Sequence, residues 1–513
     1  MLVHSQGKRI LSLGGGLLAH VKHSPSRQAT APLGTSAPGG PYAIEPQNLT
    51  ATGAAGFPVP PTLPLPVVQR PGILPLWMRS RLLRPVVATL HDPMLRNGHA
   101  LILSSSLTQF IGVFYWVVAA RVYPVAVVGR NSVALNLMLF LAAVAELNLM
   151  TTLIRFLPTS GSRSRRLILT IYAASAAIAA VIGLGFLFLI PRIEPQLGFL
   201  RSSPFLTMWF VVSVVTGAIF VLQDAALTGV RAAPFVSIEN ATFSVLKLGL
   251  LVPLARLMPA SGIFVSWTIG IVIIVIPTNG FLFLRAIPRH LRSHPVDTAP
   301  PMFRDMRSYV IPDSMAGMFI LACTYLLPLL VIDRLGPRAA GHYTLAWTIG
   351  YALYSVSLNM GSSLVVETAA DQSVLRDRSF QSIIHLARLL APVVALIVVA
   401  APYILLAFGS GYVDADVTVL RLLALSALPA IITNTAVSVT RSQRRMRMVV
   451  GIQMGVFVLV WGVSIALVGS LGITAIGVAW LIAETAVAAV LIIWPGLWLP
   501  RRREPRQAVI RQS

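Results

Sequence analysis

The stretch LQDAALTGVRAAPFVSIENATFSVLK, Leu222 to Lys247, places Asp224, Arg231, Glu239, Asn240 and Lys247 among strongly apolar neighbours. Carboxylates can exchange a proton or hold a cation, whereas lysine and arginine can neutralise an anion. In hydrocarbon each charge costs about 2.5–3.5 kcal/mol on insertion scales, so such groups face a partner or a wet cavity. On a helix Asp224, Thr228 and Arg231 share one face. After a turn at Ala232–Pro234, Asn240, Ser244 and Lys247 repeat that spacing, with Glu239 on the flank. The segment therefore reads as a helical hairpin with a polar stripe on each arm.

Other charges divide by depth. Lys247, Glu146 (in AVAELNLM) and Glu484 (in LIAETAV) fall near the middle of apolar runs, where Glu146 and Lys247 could pair or line a hydrated cavity. Arg121, Arg155, Arg231, Asp313, Glu367 and Arg421 fall near the ends of runs, where snorkelling and helix capping act. Arg121, Arg155, Arg231, Arg421, Asn240 and Lys247 are candidates for contacting an anionic substrate. Asp224, Glu239, Glu146, Asp313, Glu367 and Glu484 are candidates for a coupling ion or gate. Tyr351, Tyr354 and Asn359 suit hydrogen bonds between helices. No histidine pair has metal-ligand spacing, no Walker-type glycine loop occurs, and Cys323 is the single cysteine. No catalytic or metal residue is assigned, and the chain reads as a transporter, not an enzyme.

The elements that must carry these groups are transmembrane helices. The 513 residues are 56% hydrophobic and 11% charged, and the mean hydropathy is +0.78. A soluble chain would carry roughly twice that charged fraction. Apolar runs of about the 20 residues needed to cross a bilayer recur. They lie at 97–120, 132–156, 167–190, 205–229, 235–255, 262–284, 307–332, 341–366, 386–408, 416–440, 448–470 and 473–499. The net charge of +23 sits mainly in loops after even-numbered runs and in the basic tail 500–513. This placement is the positive-inside bias of a multi-pass plasma-membrane protein with both termini cytoplasmic, and it argues against nucleic acid as a partner.

Residues 1–96 are Pro- and Gly-rich, with eleven prolines between Ala31 and Pro75, and read as a disordered cytoplasmic tail. PVPP and PTLP (58–64) could serve as polyproline ligands for partner proteins or as plain linker. LWMRSRLLR (76–84) suits a helix on anionic membrane lipids. ARVYPVAVVGRN (120–131) and DRLGPRAAGHY (333–343) form an internal echo, aligned by Arg121 and Arg334. Two six-helix bundles, 97–284 and 307–499, joined by a cytoplasmic linker 285–306, follow from that echo.

Several blocks resemble the oligosaccharide flippases of the multidrug/oligosaccharidyl-lipid/polysaccharide (MOP) superfamily, in its actinobacterial polysaccharide-biosynthesis branch. They are FYWVVAARVYPVAVVGRNSVAL (114–135), LIRFLP (153–158), LQDAALTGVRAAPFVSIENATFSVLKLGLL (222–251), YLLPLLVIDRLGP (325–337) and NMGSSLVVETA (359–369). The Asp–Leu-Thr-Gly–Arg…Glu-Asn…Lys block is the most specific. The resemblance implies a MATE-like all-α fold of about 12 transmembrane helices around a central cavity. It also implies movement of a polyprenyl-diphosphate-linked glycan to the outer leaflet, without a cofactor and with H⁺ or Na⁺ as the coupling ion. It would make polysaccharide-assembly proteins the partners of the N-terminal tail. Asn148, where the family commonly has Gly, and Val127–Val128, in place of an often acidic position, depart from that pattern. Alternative readings are a cation-coupled multidrug exporter of the same superfamily and a non-transporting scaffold for envelope assembly.

Overall fold

The computed structural model describes residues 109–146, 149–232, 234–293, 303–368 and 375–499. Residues 1–108 with the tail and the segment 76–84, Asn148, residues 294–302 of the linker 285–306 and the tail 500–513 lie outside them. Every long apolar run within the described residues is helical. The first bundle comprises α1 (Gln109–Val122), α2 (Val125–Glu146), α3 (Leu149–Phe156), α4 (Ser164–Ile193), α5 (Pro204–Gly229), α6 (Pro234–Leu257) and α7 (Gly262–Phe281). The second comprises α8 (Phe303–Tyr325), α9 (Leu327–Thr368), α10 (Leu375–Phe408), α11 (Val413–Ser442), α12 (Met446–Leu471) and α13 (Thr474–Ile493).

Local chemistry sets the ends. Pro204 opens α5 behind Ser203, whose hydroxyl accepts from the Leu206 N–H at 3.2 Å, a capped start. Gly336 breaks α9 with φ 84°, a left-handed conformation open to glycine at no steric cost. Among the described residues ten helical stretches are long and apolar enough to cross a membrane, where twelve spans are expected. The Pro312–Gly361 stretch of 50 residues holds two spans, and α1 is described only from Gln109. The protein is a multi-pass membrane protein. Helix α7 runs past its apolar end through a π-turn, Leu282–Ala286, into Ile287–Ser293.

Helices α2, α5 and α11 are largely enclosed by neighbours, while α4, α10 and α12 turn most of their apolar surface outward, as lipid-facing helices do. The bundles meet chiefly along α2 and α9. A methyl group on Gly129 would overlap the Pro337 carbonyl, and one on Gly341 would overlap the Val125 carbonyl. Ser132 Oγ and Thr344 Oγ1 are hydrogen-bonded at 2.7 Å, across 212 residues of sequence. Val125/Pro337, Gly129/Gly341 and Ser132/Thr344 all share that offset, so each half offers the other the same surface. The structural register is thus one residue short of the Arg121/Arg334 alignment: Arg121 corresponds to Asp333. Small residues at the seam allow close approach of two backbones, as membrane helix pairs require.

Candidate functional site

The α5–α6 hairpin forms as its pattern predicts. Arg231 occupies its turn with φ 61°, and the Ala232 N–H reaches back to the Leu227 carbonyl at 2.8 Å to close the end of α5. The Arg231 side chain is exposed. Two turns back along α5, Asp224 is fully buried and meets Glu239 of α6, their carboxyls within hydrogen-bonding reach of each other.

Amides hold one oxygen of each acid. Asn240 Nδ2 donates to Asp224 Oδ2 at 3.4 Å and to the Val236 carbonyl at 2.9 Å. Gln223 Nε2 donates to Glu239 Oε1. Asn279, on α7 two residues after Pro277, donates to Gln223 Oε1 at 2.6 Å. The Tyr172 ring on α4 brings its hydroxyl beside both acids. Gln223, Asn279 and Tyr172 escape sequence reasoning because each stands alone in its run. Only the convergence of four helices reveals them, although Gln223 adjoins Asp224 in the sequence.

Lys247 lies two turns deeper on α6 and is 4% exposed. Its Nζ lies 3.5 Å from the Trp267 ring centroid, 4.8 Å from Phe243 and 5.2 Å from Tyr115. Desolvated cation–π contacts are worth about 2 kcal/mol or more, comparable with the cost of a charge at that depth. Tyr115 is fixed by hydrogen bonds to the Ile263 carbonyl at 3.1 Å and to Ser266 Oγ at 2.9 Å. The box therefore replaces a carboxylate partner. The Glu146–Lys247 ion pair open on sequence grounds does not form: the Lys247 ammonium is met by three rings, and no carboxylate among the described residues pairs with it.

The remaining candidates are dispersed. Arg121 donates from Nε to the Ala407 carbonyl and from Nη2 to the Leu406 carbonyl, both at 2.9 Å, so it caps the C-terminus of α10 from the opposite bundle. Arg421 donates to the Val398 carbonyl at 2.9 Å. Asp313 pairs with Arg441 of α11 at 3.0 Å in a largely buried bridge that sequence reasoning missed on the arginine side. Glu484 is buried beside Thr433, Tyr354 and Cys323. Tyr354 bonds Ser426 at 2.9 Å, as expected of a helix–helix contact. The side chains of Arg155 and Glu367 lie outside the described residues.

At the end of the bundles where Arg121 lies, His342 pairs with Asp416 at 3.1 Å, and Tyr412 covers the imidazole. Glu194, in the link after α4, is held above the usual carboxylate range by burial and by the charge of Asp333. Asp333 belongs to the second bundle, so one acid of each bundle faces the other beside the seam.

No family model matches the chain, and no curated protein does. Solved structures do. A multidrug resistance MATE family transporter of the MOP superfamily in its inward-facing conformation aligns with a TM-score of 0.58 at 15% identity, over 76% of this chain and 94% of its own. The outward-facing conformation of such a transporter aligns at 0.55 and 14% identity, over 82% and 99%. A MATE in complex with MaL6 aligns at 0.55 and 16%, over 81% and 98%. The chain has the MATE fold. That fold accounts for the two bundles and their shared seam, and all the structural neighbours named are transporters.

Proposed function

We infer that this protein is a flippase: it moves a polyprenyl-diphosphate-linked oligosaccharide from the cytoplasmic to the outer leaflet by alternating access, for cell-surface polysaccharide assembly. The observation that supports this most is the joining of two bundles by a narrow, self-similar seam in a MATE fold, with the polar α5–α6 block inside one bundle. A diphosphate headgroup cannot enter hydrocarbon unaided, whereas the lipid tail can remain in the bilayer while cationic groups conduct the head between bundles. Lys247 is the cation nearest the middle of the membrane, and Arg121, Arg155, Arg231, Arg421 and Asn240 are further candidates along the route. Asp224 and Glu239, with Glu146, Asp313, Glu367 and Glu484, are candidates for coupling the cycle to H⁺ or Na⁺. With both termini cytoplasmic, the seam lies toward the outer face.

The test is depletion of the protein followed by measurement of lipid-linked oligosaccharides on each membrane face. Accumulation of one species on the cytoplasmic face is expected. Unchanged levels and sidedness, with drug resistance on overexpression, would instead support the multidrug-exporter reading, which the names of the structural neighbours favour.

A further inference from the structure

The buried polar cluster is organised for something it does not itself contain. Asp224 Oδ1, Glu239 Oε2, Asn279 Oδ1 and the Tyr172 hydroxyl are all buried and are met by no amide, hydroxyl or cationic donor, the two carboxyls facing only each other. Their companion atoms are engaged: Asn240 holds Asp224 Oδ2, Gln223 holds Glu239 Oε1, and the Asn279 amide nitrogen is spent on Gln223 and on the Val275 carbonyl at 2.9 Å. The amide chain Asn279–Gln223–Glu239 fixes which oxygen of the acid is left free, and Asn240 does the same for Asp224. Outer partners of this kind orient the ligands of an ion.

Three of the four free atoms are acceptors only, or become so when the acids are ionised, and the single hydroxyl cannot serve them all. Left unmet, each would carry the full desolvation penalty of a buried polar atom. Among the described residues no lysine, arginine or histidine forms an ion pair with either acid. Of the two cations on α6, Lys247 is enclosed in its aromatic box and Arg256 lies in the last turn, at the far end of the helix.

The geometry points to a binding site for a hard alkali cation, Na⁺ in type, held by Asp224, Glu239, Asn279 and Tyr172, which fastens the ends of α4, α5, α6 and α7 into one unit. The donor set is all oxygen, which excludes the softer transition metals and suits hard cations. Two carboxylates without a third acid match a monovalent ion, with a proton shared across the pair, better than a divalent one in so dry a place. All the ligands belong to the first bundle, so the ion sets the rigidity of the hairpin rather than bridging the two bundles. This deepens the coupling role given above to Asp224 and Glu239, yet binding itself does not depend on which substrate is moved.

The experiment is thermal unfolding of the purified full-length protein in detergent, in NaCl, KCl, CaCl₂ or choline chloride at matched ionic strength. Na⁺ should raise the melting temperature by several degrees over choline, with a saturating concentration dependence. Asp224→Asn with Glu239→Gln should abolish the rise, and Tyr172→Phe should move its midpoint to higher Na⁺. Lys247→Met should leave it intact. If the double variant fails to fold, Tyr172→Phe alone decides, since an unmoved midpoint overturns the ligand set. Equal melting in choline and Na⁺, with stability rising only on acidification, would assign the cluster to a shared proton and overturn the cation site. A larger rise with Ca²⁺ would overturn the alkali assignment. A Na⁺-dependent shift in a protein whose depletion leaves lipid-linked glycans unchanged would sustain the site while removing the flippase reading.

Discussion

Lys247 is a charge the protein keeps at depth by surrounding it with rings instead of with an acid. Because methionine fits the same apolar box without a charge, Lys247→Met should reach the membrane at wild-type levels and melt within a few degrees of wild type. Transport should fall by at least about tenfold, the effect of losing roughly 1.4 kcal/mol of interaction with a moving anion. Normal transport by well-inserted protein would mean the ammonium serves packing alone. A second residue-scale expectation concerns Asp313. Replacing it by Asn removes one carboxylate from a largely buried bridge, a loss of up to about 3–5 kcal/mol. Its melting temperature should drop accordingly, and Asp313→Asn with Arg441→Met should recover much of the loss.

At the scale of elements, the turn at Arg231 separates anchoring from function. A non-glycine residue at φ 61° carries a backbone cost of about 1–2 kcal/mol. Arg231→Gly should therefore hold or raise stability while removing the guanidinium. A loss of transport in so stable a variant would place Arg231 on the route, and unchanged transport would leave it a topological anchor. How much of this was readable beforehand differs from residue to residue. Asp224, Glu239 and Asn240 announce themselves, because charges and amides in apolar runs are expensive and their helical spacing is local. Tyr172 and Asn279 do not, since a lone tyrosine or asparagine is ordinary in a membrane helix. Only tertiary convergence gives them meaning. Trp267 and Tyr115 are hidden for the same reason: aromatic residues in an oily sequence carry no label. The apolar runs were legible from length alone, but not the left-handed break at Gly336, which depends on where a helix stops.

For the whole molecule, the seam predicts that the two bundles separate as bodies during a cycle. Ser132→Cys with Thr344→Cys, in a Cys323→Ser background, should cross-link under mild oxidation, since the native oxygens are 2.7 Å apart. Transport should stop on cross-linking and return on reduction. Persistent transport by the cross-linked protein would show that this contact never opens. Acidity should also act here. Burial and Asp333 raise the carboxyl of Glu194 above its unfolded value. Its favourable contribution is therefore present in acid and lost as the pH rises through the raised value. The melting temperature of wild type should fall over that rise, and that of Glu194→Gln should fall less.

The reciprocal contacts of Gly129 and Gly341 carry one more consequence. A surface that accepts its own copy is what a homodimer makes, and an even number of spans per half gives both halves the same orientation in the membrane. One patch of sequence is therefore read twice, once in each half, so a substitution at Gly129 and its counterpart at Gly341 press on the same contact from opposite sides. The asymmetry of the molecule lies away from that patch, in the buried acids of the hairpin.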